Sequence, residues 1–403
     1  MLLPVAVVIA ASLPAATALP EAARIIRTCV PLLPGGHTTC TVGNQEEECS
    51  LSRLAAGNTN RLYCLTRAVT GDRYLVREFG TSSALRFDRD AENAVFAQLS
   101  ERGLAPALIA TFPGGGAGGA GGRIEGWLEG GPVTVEACRT PAVYEKVAEA
   151  LAELHAFEPT TDGVGAQAWA WRAVDYYSNR SPSPSPSPNL NLDPNPEPNP
   201  KVDAWLPAAI ERQKALGGRG LQGGGLGLEG GGEYAERVAA LRLSEVSGRL
   251  EALRDPLEAL PRCYCHNDLS NTNLHLDPLS GELRLIDFEY GGTNYRGFDL
   301  ATHLSHWAGG ASDGRYTDAA FPRGAALRGF LAAYAAHAPG SVTPDALADE
   351  VRLATPLVHA VWGLWAVCSL PEGGETRPFS HIEYAERRLA AFETSLLRSA
   401  SSS

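Results

Sequence analysis

Between residues 60 and 80 apolar and polar positions alternate with the period of half-buried strands. RLYCLTRAV alternates, TGD turns, and RYLVREFG follows. SLSRLAA precedes them across the loop GNTN, so the pattern predicts three short strands joined by tight turns. The period then changes. Residues 88–102 read as a helix with Asp88 as N-cap and Gly103 just past its end. A short strand, ALIATF, runs into the glycine tract 114–122, and GRIEGWLEG reads as a strand leading out. Residues 50–128 are therefore expected to form a small antiparallel sheet with one helix.

Helical spacing dominates the remainder. Val143, Val147, Leu151 and Leu154 share one face of the segment 140–157. A further helix is expected over 234–255, and 320–398 is again helical, rich in alanine and aromatics. Two stretches carry no periodicity. SPSPSPSPNLNLDPNPEPNP at 181–200 is held extended by proline, and GGRGLQGGGLGLEGGG at 217–232 is a glycine tract. Neither has the apolar content to join a core, so both read as surface loops.

Composition narrows the class. With 403 residues, 44% hydrophobic and 20% charged, the chain can bury the interior of a two-lobed enzyme or of two domains. With a net charge of −12 no basic surface for a polyanion is evident, so nucleic acid is not an expected partner. Eight irregularly spaced cysteines read as reduced thiols rather than a disulfide framework. The first residues, MLLPVAVVIAASLPAATALP, have an apolar run and an A-x-A-like end. They lack Lys or Arg before that run, and Pro4 and Pro14 interrupt it. A strand followed by the helix PEAARIIRTCVPLL is the expectation, with a secretory signal as the alternative; neither inserts stably in a membrane.

The densest chemistry is CYCHNDLSNTNLHL at 263–276. A thiol metal site is disfavoured: Cys263 and Cys265 are too close together in sequence, and no second cysteine pair is near. The acids and amides read differently. Asp268 is followed by Asn273, and a hairpin with a Pro-x-x-Gly turn returns the chain to Asp287. Kinase-type phosphoryl transfer needs this set: one carboxylate to accept the hydroxyl proton, and an amide oxygen and second carboxylate to hold Mg2+ against nucleotide phosphates. His266 then packs behind the loop. Upstream, Arg77 on the third strand and Glu92 in the next helix stand in the order of the phosphate-binding cation and its orienting acid. Gly57, Asn58, Thr59 and Asn60 form the turn whose backbone N–H groups would fold over phosphates.

CHNDLSNTNL, LIDFEYGGTNYRGFDLATHLSHWAG and VWGLWAV resemble the choline/ethanolamine kinase family, over about residues 22–394 and most closely its ethanolamine kinases. The resemblance implies an α+β, bilobal protein-kinase-like fold: a sheet-containing N-terminal lobe over 1–128 and a mainly helical C-terminal lobe over 129–403. It implies ATP and Mg2+ as cofactors, Asp268 as base, and Asn273 and Asp287 as metal ligands. It places Arg77 and Glu92 at the nucleotide phosphates and the IEGWL strand, with Glu125 and Trp127, along the adenine pocket. Tyr290, Trp362, Trp365 and Tyr384 would wall the substrate ammonium, as aromatic faces favour a cation. One departure stands out: His306 replaces the acid that the family places in that pocket. A neutral imidazole still accepts a hydrogen bond from a primary ammonium. The implied activity is ethanolamine phosphorylation in the cytoplasm, the first step of phosphatidylethanolamine synthesis. Choline or dual specificity, another hydroxylated amine, and a nucleotide-binding pseudokinase remain alternatives, and a homodimer is compatible.

Overall fold

The computed structural model describes residues 24–34, 49–54, 60–68, 70–80, 89–113, 121–160, 168–175, 209–210, 213–214, 236–370 and 379–400. Both low-complexity stretches, the N-terminal apolar run, Asp88 and the turn residues Gly57, Asn58 and Thr59 lie outside them. The chain divides into two compact units. The first comprises Met1–Ser83, Arg89–Gly131 and His275–Ile286; the second comprises Ala84–Asp88, Pro132–Leu274 and Asp287–Ser403.

The first unit is an antiparallel sheet of five strands in the order β1-β2-β3-β5-β4. The strands are β1 (Cys49–Arg53), β2 (Asn60–Arg67), β3 (Arg73–Phe79), β4 (Leu108–Phe112) and β5 (Gly122–Gly126). Alternation separates the faces. Tyr74, Val76 and Ile124 turn toward one side and bury Ile25, Cys29, Val30 and Leu33 of the N-terminal helical segment. On the other side lies the helix α1 (Arg89–Glu101), within one residue of the expected span at each end. Gly103 ends it in the left-handed region (φ +73°), which lets Leu104 N–H reach the Leu99 carbonyl.

In the second unit α2 (Pro141–His155) buries Val143, Val147, Leu151 and Leu154, the stripe read from the sequence. It packs on α7 (Gly324–His337). The helix expected over 234–255 is instead broken. Arg242 takes a left-handed conformation (φ 51°), and α4 (Leu243–Glu251) and α5 (Arg254–Glu258) follow. Leu241 and Leu243 explain the break. Both are buried, whereas a continuous helix would point residues two apart to opposite sides. The small α3 (Trp169–Asp175) and the strand pair β6 (Arg262–Cys265) and β9 (Gly292–Tyr295) flank the segment that carries Asp268.

Three helices complete the unit: α6 (Arg296–His306), α8 (Pro344–Cys368) and α9 (His381–Ala400). Thr343 caps α8 by accepting the Ala346 N–H, with Pro344 opening its first turn. By length and hydropathy α8 is apolar enough to cross a membrane, but most of its apolar stretch is buried against α6, α7 and α9. Gly297 lets α6 approach α8 closely. A Cβ there would lie 2.6 Å from the Glu350 carbonyl oxygen and 2.8 Å from its carbon. Gly297→Ala is therefore expected to destabilise the protein by about 1–3 kcal/mol through overpacking. The midpoint of a urea melt measures this, and an unchanged midpoint would refute the close approach.

Candidate active site

In the first unit the charged residues form a buried ladder. Arg77 on β3 lies directly opposite Arg123 on β5, and Glu125 projects from the same face two residues on. Arg77 Nε donates to Glu125 Oε1 at 3.0 Å, and Arg123 Nε donates to the same oxygen at 2.7 Å. Arg123 Nη1 donates to Glu92 Oε1 at 2.8 Å, and Arg89 Nη1 to Glu92 Oε2 at 2.6 Å. The guanidinium of Arg123 also stacks over Phe96, 3.9 Å from its ring centre. Burial pushes the Glu125 carboxyl up, and the two guanidiniums more than reverse it, holding it below its ordinary value.

This corrects the expected Arg77–Glu92 ion pair. Arg123 stands between the two, so Arg77 takes Glu125 and Glu92 takes Arg123 and Arg89. Glu125, expected along a base pocket, is a member of the ladder. Trp127 lies past the end of β5 with the Arg73 guanidinium 4.9 Å over its ring. Asn60 opens β2, where its Oδ1 accepts from Gly80 N–H (3.4 Å) and Arg89 Nη2 (3.3 Å).

In the second unit β6 runs straight into the loop that carries Asp268. The loop is held by Asp299, two residues beyond Gly297 on α6. Its Oδ2 accepts the His266 N–H and its Oδ1 the Asn267 N–H, both at 2.8 Å. Asn267 is left-handed (φ 67°) and is fixed there by its side chain. Its Nδ2 donates to the Tyr290 carbonyl, and its Oδ1 accepts from Asn294 Nδ2, each at 2.8 Å. The His266 ring packs against Phe288, with 4.8 Å between centres. His303 ties down the next residue: its ring faces the Leu269 carbonyl at 3.2 Å and accepts from Trp307 Nε1 at 3.1 Å. Burial lowers its pKa to about 4, so it is neutral.

Asn273 Nδ2 donates to the Asp268 carbonyl at 2.8 Å and reaches Asp268 Oδ2 at 3.4 Å. With its nitrogen spent on the loop, its amide oxygen is the end left for a cation. The hairpin of β7 (Leu274–Leu276) and β8 (Leu283–Leu285) turns at Gly281 (φ +73°) and delivers Asp287, itself left-handed at φ 66°. Burial, then the charges of Asp287 and Glu289, hold the Asp268 carboxyl well above its usual range. An amide oxygen and a carboxylate are hard donors of the kind Mg2+ takes, and a cation bound here would relieve the negative charge that raises Asp268.

The four aromatic residues singled out in the sequence form one chain of ring contacts. Tyr290 meets Trp362 edge-on at 5.5 Å, Trp362 meets Trp365 at 5.9 Å, and Trp365 meets Tyr384 at 6.3 Å. Phe379 and His381 extend it against Trp365. Beside them lies a residue that sequence reasoning missed. Arg388 is fully buried, its guanidinium 4.4 Å over Tyr316 and 4.9 Å over Tyr384. It donates to Tyr384 Oη (2.7 Å), Ser305 Oγ (3.0 Å) and His359 Nδ1 (3.2 Å), with no carboxylate partner among the described residues. His306 is buried nearby, and neither ring nitrogen has a hydrogen-bond partner among the described residues. Burial and then the Arg388 charge push its pKa well down, so it is neutral.

The family model described as choline/ethanolamine kinase matches residues 51–210 and 233–393. Ethanolamine kinase 1 of Mus musculus is 25% identical over 332 residues, 79% of this chain and 77% of that protein. The choline/ethanolamine kinase of Homo sapiens is 25% identical over 320 residues, covering 74% of this chain and 66% of that one. Among solved structures, an ethanolamine kinase of Plasmodium vivax superposes with a TM-score of 0.62 at 18% identity, over 89% of this chain and 85% of that one. A choline kinase of Cryptosporidium parvum gives 0.60 at 20% identity, over 94% and 96%. These likenesses agree with an α+β, protein-kinase-like fold.

Proposed function

The chain belongs to the choline/ethanolamine kinase family, and on that premise we propose that it transfers the γ-phosphate of ATP to the hydroxyl of ethanolamine. The observation that carries this reading is Asp268, held by Asp299 through the loop backbone, bonded by Asn273 and near enough to Asp287 to feel its charge. Asp268 orients the substrate hydroxyl and accepts its proton as the oxygen attacks phosphorus. Asn273 and Asp287 would hold Mg2+, which when bound would neutralise the nucleotide phosphates. Within the first unit, Arg77 is the cation we assign to nucleotide phosphate, its guanidinium fixed by Glu125. Tyr290, Trp362, Trp365 and Tyr384 receive the ammonium end of the substrate.

His306 favours ethanolamine over choline. A primary ammonium donates three N–H groups and finds an acceptor in a neutral imidazole that has no partner among the described residues, whereas a trimethylammonium has nothing to donate. Steady-state kcat/KM for ethanolamine and choline, side by side, tests this: ethanolamine is expected to be the better substrate, and a choline preference would overturn it.

The buried Arg388 adds a second expectation. His306→Glu would give it a carboxylate partner and the substrate ammonium a charged acceptor. Thermal stability should rise, and KM for ethanolamine should fall about tenfold, as one charge-assisted hydrogen bond allows. A lower melting temperature together with a higher KM would show that the two side chains do not share this space.

A further inference from the structure

The strand that delivers the catalytic loop carries a second cluster, which phosphoryl transfer leaves unused. Cys263 and Cys265 alternate onto one face of β6, and their sulfurs are 3.6 Å apart. His155, the last residue of α2, reaches the same point: a ring nitrogen and both sulfurs lie within 4.8 Å of one another. An open cavity of about 420 Å3 has His155, Arg262 and Cys263 in its wall, together with Glu158 and Thr293. Cys263 is half-buried there, whereas Cys265 is wholly buried, its thiol directed toward the carbonyls of Cys263 (3.7 Å) and Tyr295 (3.6 Å).

We propose that Cys263 is a site of covalent modification: a nucleophilic thiolate in the wall of this cavity that reacts with soft electrophiles and peroxides, with Cys265 as its resolving thiol. The charge pattern supports it. His155 faces the Asp299 carboxylate through Nε2 (3.1 Å) and the Tyr334 hydroxyl through Nδ1 (2.7 Å). Burial lowers the His155 pKa, but Cys263, Tyr334 and Asp299 together raise it well above its ordinary value. The Cys265 hydrogen bond, and then His155, bring the Cys263 thiol down to about 6 against the opposing effect of burial. Burial and the neighbouring Cys263 push Cys265 the other way. The proton therefore stays on the inner thiol and the negative charge on the outer one, the arrangement of an oxidant-sensing cysteine pair. A soft-metal site from the same three groups fits less well, because both ring nitrogens of His155 already have partners.

The oxidation balances with hydrogen peroxide as the named oxidant. The Cys263 thiolate attacks one peroxide oxygen, the O–O bond breaks, and hydroxide leaves and is protonated to water. Cys263 is then a sulfenic acid. The Cys265 sulfur attacks Cys263, the S–O bond breaks, a second water leaves, and a disulfide remains. Residues two apart on a strand stand about 6.6–6.8 Å apart at Cα, at the wide limit for a disulfide, so closing it shortens β6. That strand is paired with β9 and runs into His266, whose N–H and that of Asn267 share the Asp299 carboxylate with His155. Oxidation should thus disturb the loop and lower turnover reversibly.

The test follows mass in the reduced full-length protein. Iodoacetamide near neutral pH, read by peptide mass spectrometry, should label Cys263 at least about tenfold faster than the half-buried Cys49 and Cys368. Peroxide should then remove two hydrogens from the peptide holding both cysteines, and dithiothreitol should restore them. Cys265→Ser should instead accumulate a dimedone-reactive sulfenic acid on Cys263, and Cys263→Ser should give neither product. Labelling no faster than at Cys49 and Cys368, or a pair still reduced after peroxide, would overturn the proposal. The inference that oxidation lowers turnover rests on the kinase reading; the thiol chemistry does not. Because the readout is mass, failure of either reading is seen without the other.

Discussion

Asp268→Asn is expected to lower kcat by about three orders of magnitude, the upper range for loss of a positioned base, while nucleotide binding and the fold persist. The expectation combines two properties of the same carboxylate. Asp268 is the loop residue set beside both proposed metal ligands, so chemistry depends on it. It is also strained electrostatically, since burial and the charges of Asp287 and Glu289 raise its pKa in the folded protein. A raised folded pKa means that folding favours the protonated form. The stability this contributes is fully present below the pKa of an unfolded Asp and is lost as pH rises through the folded value. At neutral pH an isosteric amide removes that burden. The variant should therefore melt no lower than the parent, and its advantage should shrink as pH falls. Calorimetry beside steady-state kinetics measures both. A variant that loses activity and several degrees of stability together would mark Asp268 as a structural residue.

Arg123→Leu should have the largest effect on folding, about 3–5 kcal/mol, because it strips a partner from the buried Glu125 and the largely buried Glu92. Glu125 would keep Arg77, and Glu92 would keep Arg89, but each loses its shorter or central link. The melting temperature should drop on the order of 10 °C. KM for ATP should rise as well, since Arg77 loses the neighbour that fixes its acceptor. Adding Glu92→Gln to Arg123→Leu should recover part of the loss, because one orphaned charge is removed. A loss below about 1 kcal/mol, the range of exposed pairs, would show that the ladder is solvated.

How much of this was legible in the sequence follows physical range. Period-2 alternation and the Gly103 stop placed the sheet strands and α1 closely, because each depends on residues a few positions apart. The 234–255 segment failed for the opposite reason. Its break depends on burying both Leu241 and Leu243 against the rest of the unit, and local helical propensity cannot register that. The Asp268–Asn273–Asp287 set was readable because loop and hairpin are contiguous. The ladder was not. Arg77 and Glu92 have the right order, but strand register puts Arg123 between them, and only the alternation of Arg123 and Glu125 on one strand hinted at it. Arg388 was invisible for the same reason: a cation in a helix reads as surface until α9 turns it inward. Cys263 and Cys265 read as poor metal ligands in the sequence, and the neighbour that gives them a different chemistry, His155, is brought there only by the fold, from more than a hundred residues away.

The most direct measurement is 31P NMR of the purified protein with Mg·ATP and ethanolamine. A phosphomonoester resonance is expected to grow in step with ADP, to be absent without ethanolamine and to be lost in Asp268→Asn. ATP that stays intact beside ethanolamine, or is consumed without that resonance appearing, would contradict it.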